Sequence, residues 1–163
     1  MKKLLLILLC LPMIGFGQTA KDYYDKASDY EKNEEYQLAI ANYTKCLKID
    51  PDFADAYLNR GKAYNYLGYL EDAIADYTRA IEIDPDYVRA YYCRGVAYDD
   101  LGDYKVAIAN FTRAIRIDPD FADGYFQRGW TKEREGMSYC RDYKKCCDLG
   151  EEICCEWYNE LCK

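Results

Sequence analysis

Six of the nine cysteines in this 163-residue chain fall in its last 24 residues: Cys140, Cys146, Cys147, Cys154, Cys155 and Cys162. Thiols at that density support three chemistries: disulfide bridging, thiolate coordination of zinc, or dithiol redox exchange. Spacing discriminates among them. Zinc sites draw on Cys-x2-Cys pairs or histidine, and the chain has no such pair and no histidine. Dithiol oxidoreductases use Cys-x-x-Cys, which is the same missing spacing. Bridges are the expectation, and a thiol module that binds metal or exchanges electrons is the alternative.

The elements that would position these thiols are two short helices. Asp142 to Leu149 and Glu151 to Leu161 read as a hairpin turning at Gly150. Facing residues of an antiparallel hairpin keep a constant index sum. Cys140 with Cys162 and Cys147 with Cys155 share 302, and Cys146 with Cys154 gives 300. The seven-residue step from Cys140 to Cys147 returns to the same helix face after two turns, as does that from Cys155 to Cys162. Packed helix axes leave facing Cα atoms roughly 4–6 Å apart, within disulfide reach. Other connectivities remain open. The stripe Ile153, Trp157 and Leu161 is expected to cover the end of whatever precedes it. Cys46 and Cys93 are expected to be free.

Upstream, residues 1–17 have a different character. Lys2-Lys3 gives a positive start, Leu4 to Leu11 an apolar run, and Gly15-Phe16-Gly17 small residues for a peptidase. This is the layout of a secretory leader, with cleavage after Gly17. Cys10 follows Leu9 rather than the small residue that lipid-modified leaders carry. The apolar run is too short for a comfortable membrane span. Export to a bacterial periplasm or the extracellular space follows, and suits the bridges.

Lys+Arg total 22 against 29 Asp+Glu, for a net charge of −7. An acidic surface without a basic stripe disfavours nucleic acid. Lack of histidine removes the commonest general base. With no nucleophile–base pair, phosphate loop or carboxylate dyad in view, the chain reads as a non-enzyme with no cofactor.

The middle of the chain is periodic. Ile-Asp-Pro-Asp occurs at Ile49–Asp52, Ile83–Asp86 and Ile117–Asp120, spaced by 34 residues. Gly61, Gly95 and Gly129 keep that period, as do Gly68, Gly102 and Gly136 and also Tyr57, Tyr91 and Tyr125. Such a clock means one supersecondary unit copied in tandem. Within the unit Ala54–Tyr87, Ala56, Tyr57, Ala63, Tyr64 and Leu67 mark one helix face, and Ala73, Ile74, Tyr77, Ala80 and Ile81 another. Asp84-Pro85 stops the second helix. A mid-helix glycine costs about 1 kcal/mol relative to alanine, so Gly61 and its copies predict two helices crossing closely. Gly68 and its copies predict left-handed C-caps.

These residues identify a resemblance. Tyr57, Gly61, Tyr64, Ala73, Tyr77, Ala80 and Pro85 fall on the spacing of the tetratricopeptide repeat, and Tyr91, Gly95, Tyr98, Ala107, Phe111, Ala114 and Pro119 repeat it. A looser unit runs through Tyr23, Ala27, Tyr30, Ala39, Tyr43, Cys46 and Pro51. A fourth opens at Tyr125 and Gly129, then shortens, with Tyr143 in the place of Tyr77. The resemblance implies an all-α fold, a right-handed α-solenoid of helix hairpins with a concave groove. The expected division is 18–137 for the array (units 20–53, 54–87 and 88–121, and a half unit 122–137) and 138–163 for a Cys-rich helical cap.

In that family the first helix of each hairpin lines the groove. The corresponding stripe is Lys21, Tyr24, Ser28 and Glu31; Asp55, Leu58, Asn59, Lys62 and Asn65; Arg89, Tyr92, Cys93, Val96 and Asp99; and Asp123, Phe126, Gln127 and Trp130. Tyr24, Leu58, Tyr92 and Phe126 are expected to anchor a protein or peptide partner, because a large residue recurs there in every unit. Some family members grip a C-terminal carboxylate; here Asn59 and Arg89 match that clamp, whereas Tyr24, Ser28 and Cys93 depart from it. The tyrosines at the family's signature spacing itself are expected to be core.

Overall fold

A computed structural model describes residues 18–163, and among them it forms nine α-helices and no strand. The leader read at residues 1–17 lies outside the described residues. The helices are α1 (Ala20–Lys32), α2 (Tyr36–Ile49), α3 (Ala54–Tyr66), α4 (Leu70–Ile83), α5 (Val88–Asp100), α6 (Tyr104–Ile117), α7 (Ala122–Arg134), α8 (Cys140–Asp148) and α9 (Glu152–Leu161). Each packs on its predecessor and its successor. The odd helices α1, α3, α5 and α7 also touch one another in sequence, which makes them the inner layer of the solenoid.

Local chemistry explains the joints. At Gly61 an added Cβ would lie 2.7 Å from Tyr77 Cε1, and at Gly95 it would lie 2.6 Å from Phe111 Cε1. The missing side chain admits the aromatic ring of the paired helix. Gly68, Gly102 and Gly136 instead have φ of 78°, 81° and 67° in open space. The Tyr69 N–H then closes the turn on Tyr64 O at 3.0 Å. In each Ile-Asp-Pro-Asp turn the first Asp accepts from the backbone N–H two residues on, at 3.1 Å for Asp50, 3.1 Å for Asp84 and 3.0 Å for Asp118.

The core is a column of fully buried alanines, including Ala56, Ala63, Ala73, Ala80, Ala90, Ala97, Ala107 and Ala114. Tyr43, Tyr77, Phe111 and Tyr143 are buried at one equivalent place per hairpin. A polar tie runs through the stack as well. Arg60 Nε and Nη2 donate to Asp76 at 2.7 Å each, while Nη1 reaches back to Thr44 Oγ1 at 2.9 Å. Arg94 repeats this with Asn110 and Thr78, and Arg128 with Asp142 and Thr112. Each arginine therefore binds its own hairpin and the one before it.

The chain ends in α8 and α9. Tyr143 on α8 lies over Gly129, so α8 acts as the second helix of the fourth hairpin. Three bridges fasten α9 to it: Cys140–Cys162, Cys146–Cys154 and Cys147–Cys155, with Cα atoms 5.6, 5.7 and 4.6 Å apart. Cys46 and Cys93 are free. Of the stripe expected to cover the last repeat, only Trp157 reaches α7. Ile153 and Leu161 stay 49% and 45% exposed.

Candidate functional site

The inner layer carries three adjoining hollows. One of about 290 Å³ is walled by Ser28, Glu31, Asn59, Lys62 and Tyr66. A second, about 300 Å³, is walled by Leu58, Asn59, Lys62, Arg89, Tyr92 and Cys93. The third, about 290 Å³, has Lys62, Asn65, Tyr66, Tyr92, Cys93, Val96 and Gln127. Lys62 borders all three, so α1, α3, α5 and α7 face one continuous trough.

The anchor row is placed differently from expectation. Tyr24 stacks on Phe53 at 4.8 Å, and Tyr92 meets Phe121 edge-on at 5.3 Å. Leu58 is 5% exposed and shares a core cluster with Tyr87. Phe53, Tyr87 and Phe121 are the residues just before α3, α5 and α7. Tyr24, Leu58 and Tyr92 thus each pack at a joint between one hairpin and the next. Leu58 is buried at this joint and also borders the second hollow.

The polar groove residues are also partly engaged. Asn59 Nδ2 donates to Tyr24 Oη at 2.8 Å, and Lys62 Nζ pairs with Glu31 at 3.2 Å. Asp55 accepts from the Tyr87 hydroxyl, and Lys21 pairs with Asp25 on its own helix. Asp99 accepts from the Thr131 hydroxyl at 2.8 Å and pairs with Arg134 at 2.6 Å. Asn65 Oδ1 is buried without a partner. Arg89, exposed, and Val96, half-buried, keep their side chains on the trough. Burial pushes the Cys93 thiol up to about 11, so it is a neutral wall group near pH 7.

At the far end, Phe126 and Trp130 meet a residue sequence reasoning assigned only to the cap. Trp157 of α9 lies 5.4 Å from Phe126 and 5.0 Å from Trp130, ring centre to ring centre. The trough thus runs from a polar middle to an aromatic end. The arginine ties also escaped notice, although Arg60, Arg94 and Arg128 and Thr44, Thr78 and Thr112 keep the 34-residue period that would reveal them.

Stacked helix hairpins with an open inner trough define a helical-repeat scaffold for protein–protein contact. Family comparison gives the same class: a TPR repeat model matches residues 27–68 and 61–102, and a tetratricopeptide repeat model matches 88–121. The chain belongs to the tetratricopeptide repeat family. Human tetratricopeptide repeat protein 4 is 41% identical over 71 residues, and the bovine protein 39%; the match spans 37% of this chain and 18% of either relative. Among solved structures, MamA superposes with a TM-score of 0.78 at 26% identity, covering 82% of this chain and 80% of that one. The first such domain of Spaghetti (RPAP3), solved with the HSP90 peptide SRMEEVD, gives 0.71 at 26% identity over 73% and 94%. The Arabidopsis OM64 domain gives 0.70 at 28% over 71% and 96%.

Proposed function

We propose that this protein is an exported, non-catalytic adaptor that holds an extended segment of a partner protein along its trough. The observation that carries the reading is the run of three hollows meeting at Lys62. Arg89 and Val96 face it and take no part in the contacts that join one hairpin to the next. Export is supported by three disulfides, which persist in oxidising compartments such as a bacterial periplasm or the extracellular space. Among the described residues no helix is long and apolar enough to cross a membrane. Metal binding by the rival thiol module needs thiolates, and the bridges tie up all six terminal cysteines.

Val96→Glu and Arg89→Glu test the proposal. Each places a charge in the trough without touching a joint. Capture of the partner from the native envelope should fall at least tenfold with an unchanged thermal midpoint. Undiminished capture by both variants would move the binding surface elsewhere.

A further inference from the structure

We propose that the trough ends in an aromatic seat for a bulky apolar side chain flanked by basic residues on the partner segment. This rests on the trough reading above and names the chemistry of its occupant. Trp130 stands 34 residues after Val96 and 68 after Lys62, so it takes the next place along the same floor. Trp157 closes that place from α9, with Phe126 and Tyr143 beneath it at 5.4 and 5.5 Å. Trp130 remains 39% exposed, and Ile153, one turn before Trp157, remains 49% exposed. Apolar surface of this kind gains by being covered, in proportion to the area removed from water.

Charge then selects the occupant. Glu156 and Glu160 are exposed three and seven residues after Ile153, on one side of α9. Among the described residues neither makes an ion pair, whereas Lys62 is answered by Glu31 and Arg134 by Asp99. Lysine or arginine beside the apolar side chain would satisfy these carboxylates, and acidic neighbours would be repelled. A second copy of the chain fits poorly, since its own seat is acidic and its net charge is −7.

The chain has only two tryptophans, both in the seat, so their emission reports occupancy directly. The probes are acetylated, amidated pentapeptides: Ser-Lys-Phe-Lys-Ser, Ser-Glu-Phe-Glu-Ser and Ser-Lys-Ser-Lys-Ser, titrated at low salt. The first should shift emission saturably, the second at least tenfold more weakly, and the third without saturation. Ile153→Asp, at an exposed position, should weaken the first at least fivefold. Glu156→Lys with Glu160→Lys should invert the order of the two Phe peptides. Equal binding of both Phe peptides, or emission moved by none, overturns the seat; so does emission that changes on diluting the protein alone, since that marks a second copy as occupant. Failure of the peptides while Val96→Glu still abolishes partner capture would sink the seat and leave the trough reading standing.

Discussion

Arg94 Nε donates to Asn110 Oδ1 at 2.8 Å, but in the first hairpin the residue equivalent to Asn110, Asn42, has a buried Oδ1 with no partner. The repeat supplies the reason. Lys26 stands where Arg60, Arg94 and Arg128 stand, and its ammonium lies over the Tyr30 ring at 5.9 Å. A buried acceptor left unmatched costs free energy that a fitted guanidinium would recover. Lys26→Arg should raise stability by about 0.5–1.5 kcal/mol, read as a higher urea midpoint at constant slope. An unchanged midpoint would mean that the guanidinium does not reach Asn42.

The converse substitution is costlier. Asp76 is 5% exposed and both its oxygens are held by Arg60. Arg60→Met leaves that carboxylate buried without its countercharge, a loss of about 3–5 kcal/mol. Adding Asp76→Leu should restore part of it, and a double-mutant cycle measures the coupling.

Gly95 tests the close crossing. A Cβ there would sit 2.6 Å from Phe111 Cε1 and 2.9 Å from Cδ1, so leucine must displace a fully buried ring. Gly95→Leu should cost about 1–3 kcal/mol or more. Phe111→Leu alone opens a cavity, yet in the double variant the two changes should partly compensate. Strictly additive losses would show that the two residues do not share one space.

The fold was legible because solenoid packing is local: each helix satisfies its neighbours in sequence, and a 34-residue period exposes every unit at once. Gly61 and Gly68 illustrate the precision available. One is needed for space and the other for a positive φ, and position in the helix told them apart. The trough was less legible. Tyr24, Leu58 and Tyr92 have the size and spacing of ligand anchors, but their partners Phe53, Tyr87 and Phe121 sit in the following loop, across an inter-hairpin joint that helical periodicity does not describe. Trp157 was harder still. The turn before α9 replaces Asp-Pro-Asp with Gly150-Glu151 and breaks the count, so its place on the inner face emerges only in three dimensions.

Alkaline pH should weaken the fold. Burial pushes the Cys46 and Cys93 thiols up to about 11 and also raises the phenols of Tyr43, Tyr77 and Tyr143. For these acids the folded state keeps a proton that the unfolded chain releases. Their stabilisation is complete below the ordinary thiol value of about 8.5 and is lost as pH rises toward 11. Urea midpoints should fall between pH 8 and pH 10.5. Cys46→Ala, the residue at equivalent positions 80 and 114, should flatten the slope. A slope untouched by that change would remove Cys46 as a cause.

Reduction should release α9 while the repeats stay folded. With 9 residues in α8 and 10 in α9, neither helix is long enough to persist alone. The bridges close chain separations of 22, 8 and 8 residues, and each adds about 2–4 kcal/mol by restricting the unfolded chain. Cys146 and Cys154 are fully buried, so their bridge should be the last to yield, after Cys140–Cys162. A phosphine reductant should therefore expose thiols in steps. The near-ultraviolet dichroism of the Trp130–Trp157 contact should vanish with the last of them, because the bridges fasten α9 to α8 and so keep Trp157 against α7. The α1–α6 stack has no disulfide and should keep its helical signal. Six titratable new thiols alongside an undiminished tryptophan band would mean that aromatic packing, not the bridges, seats α9.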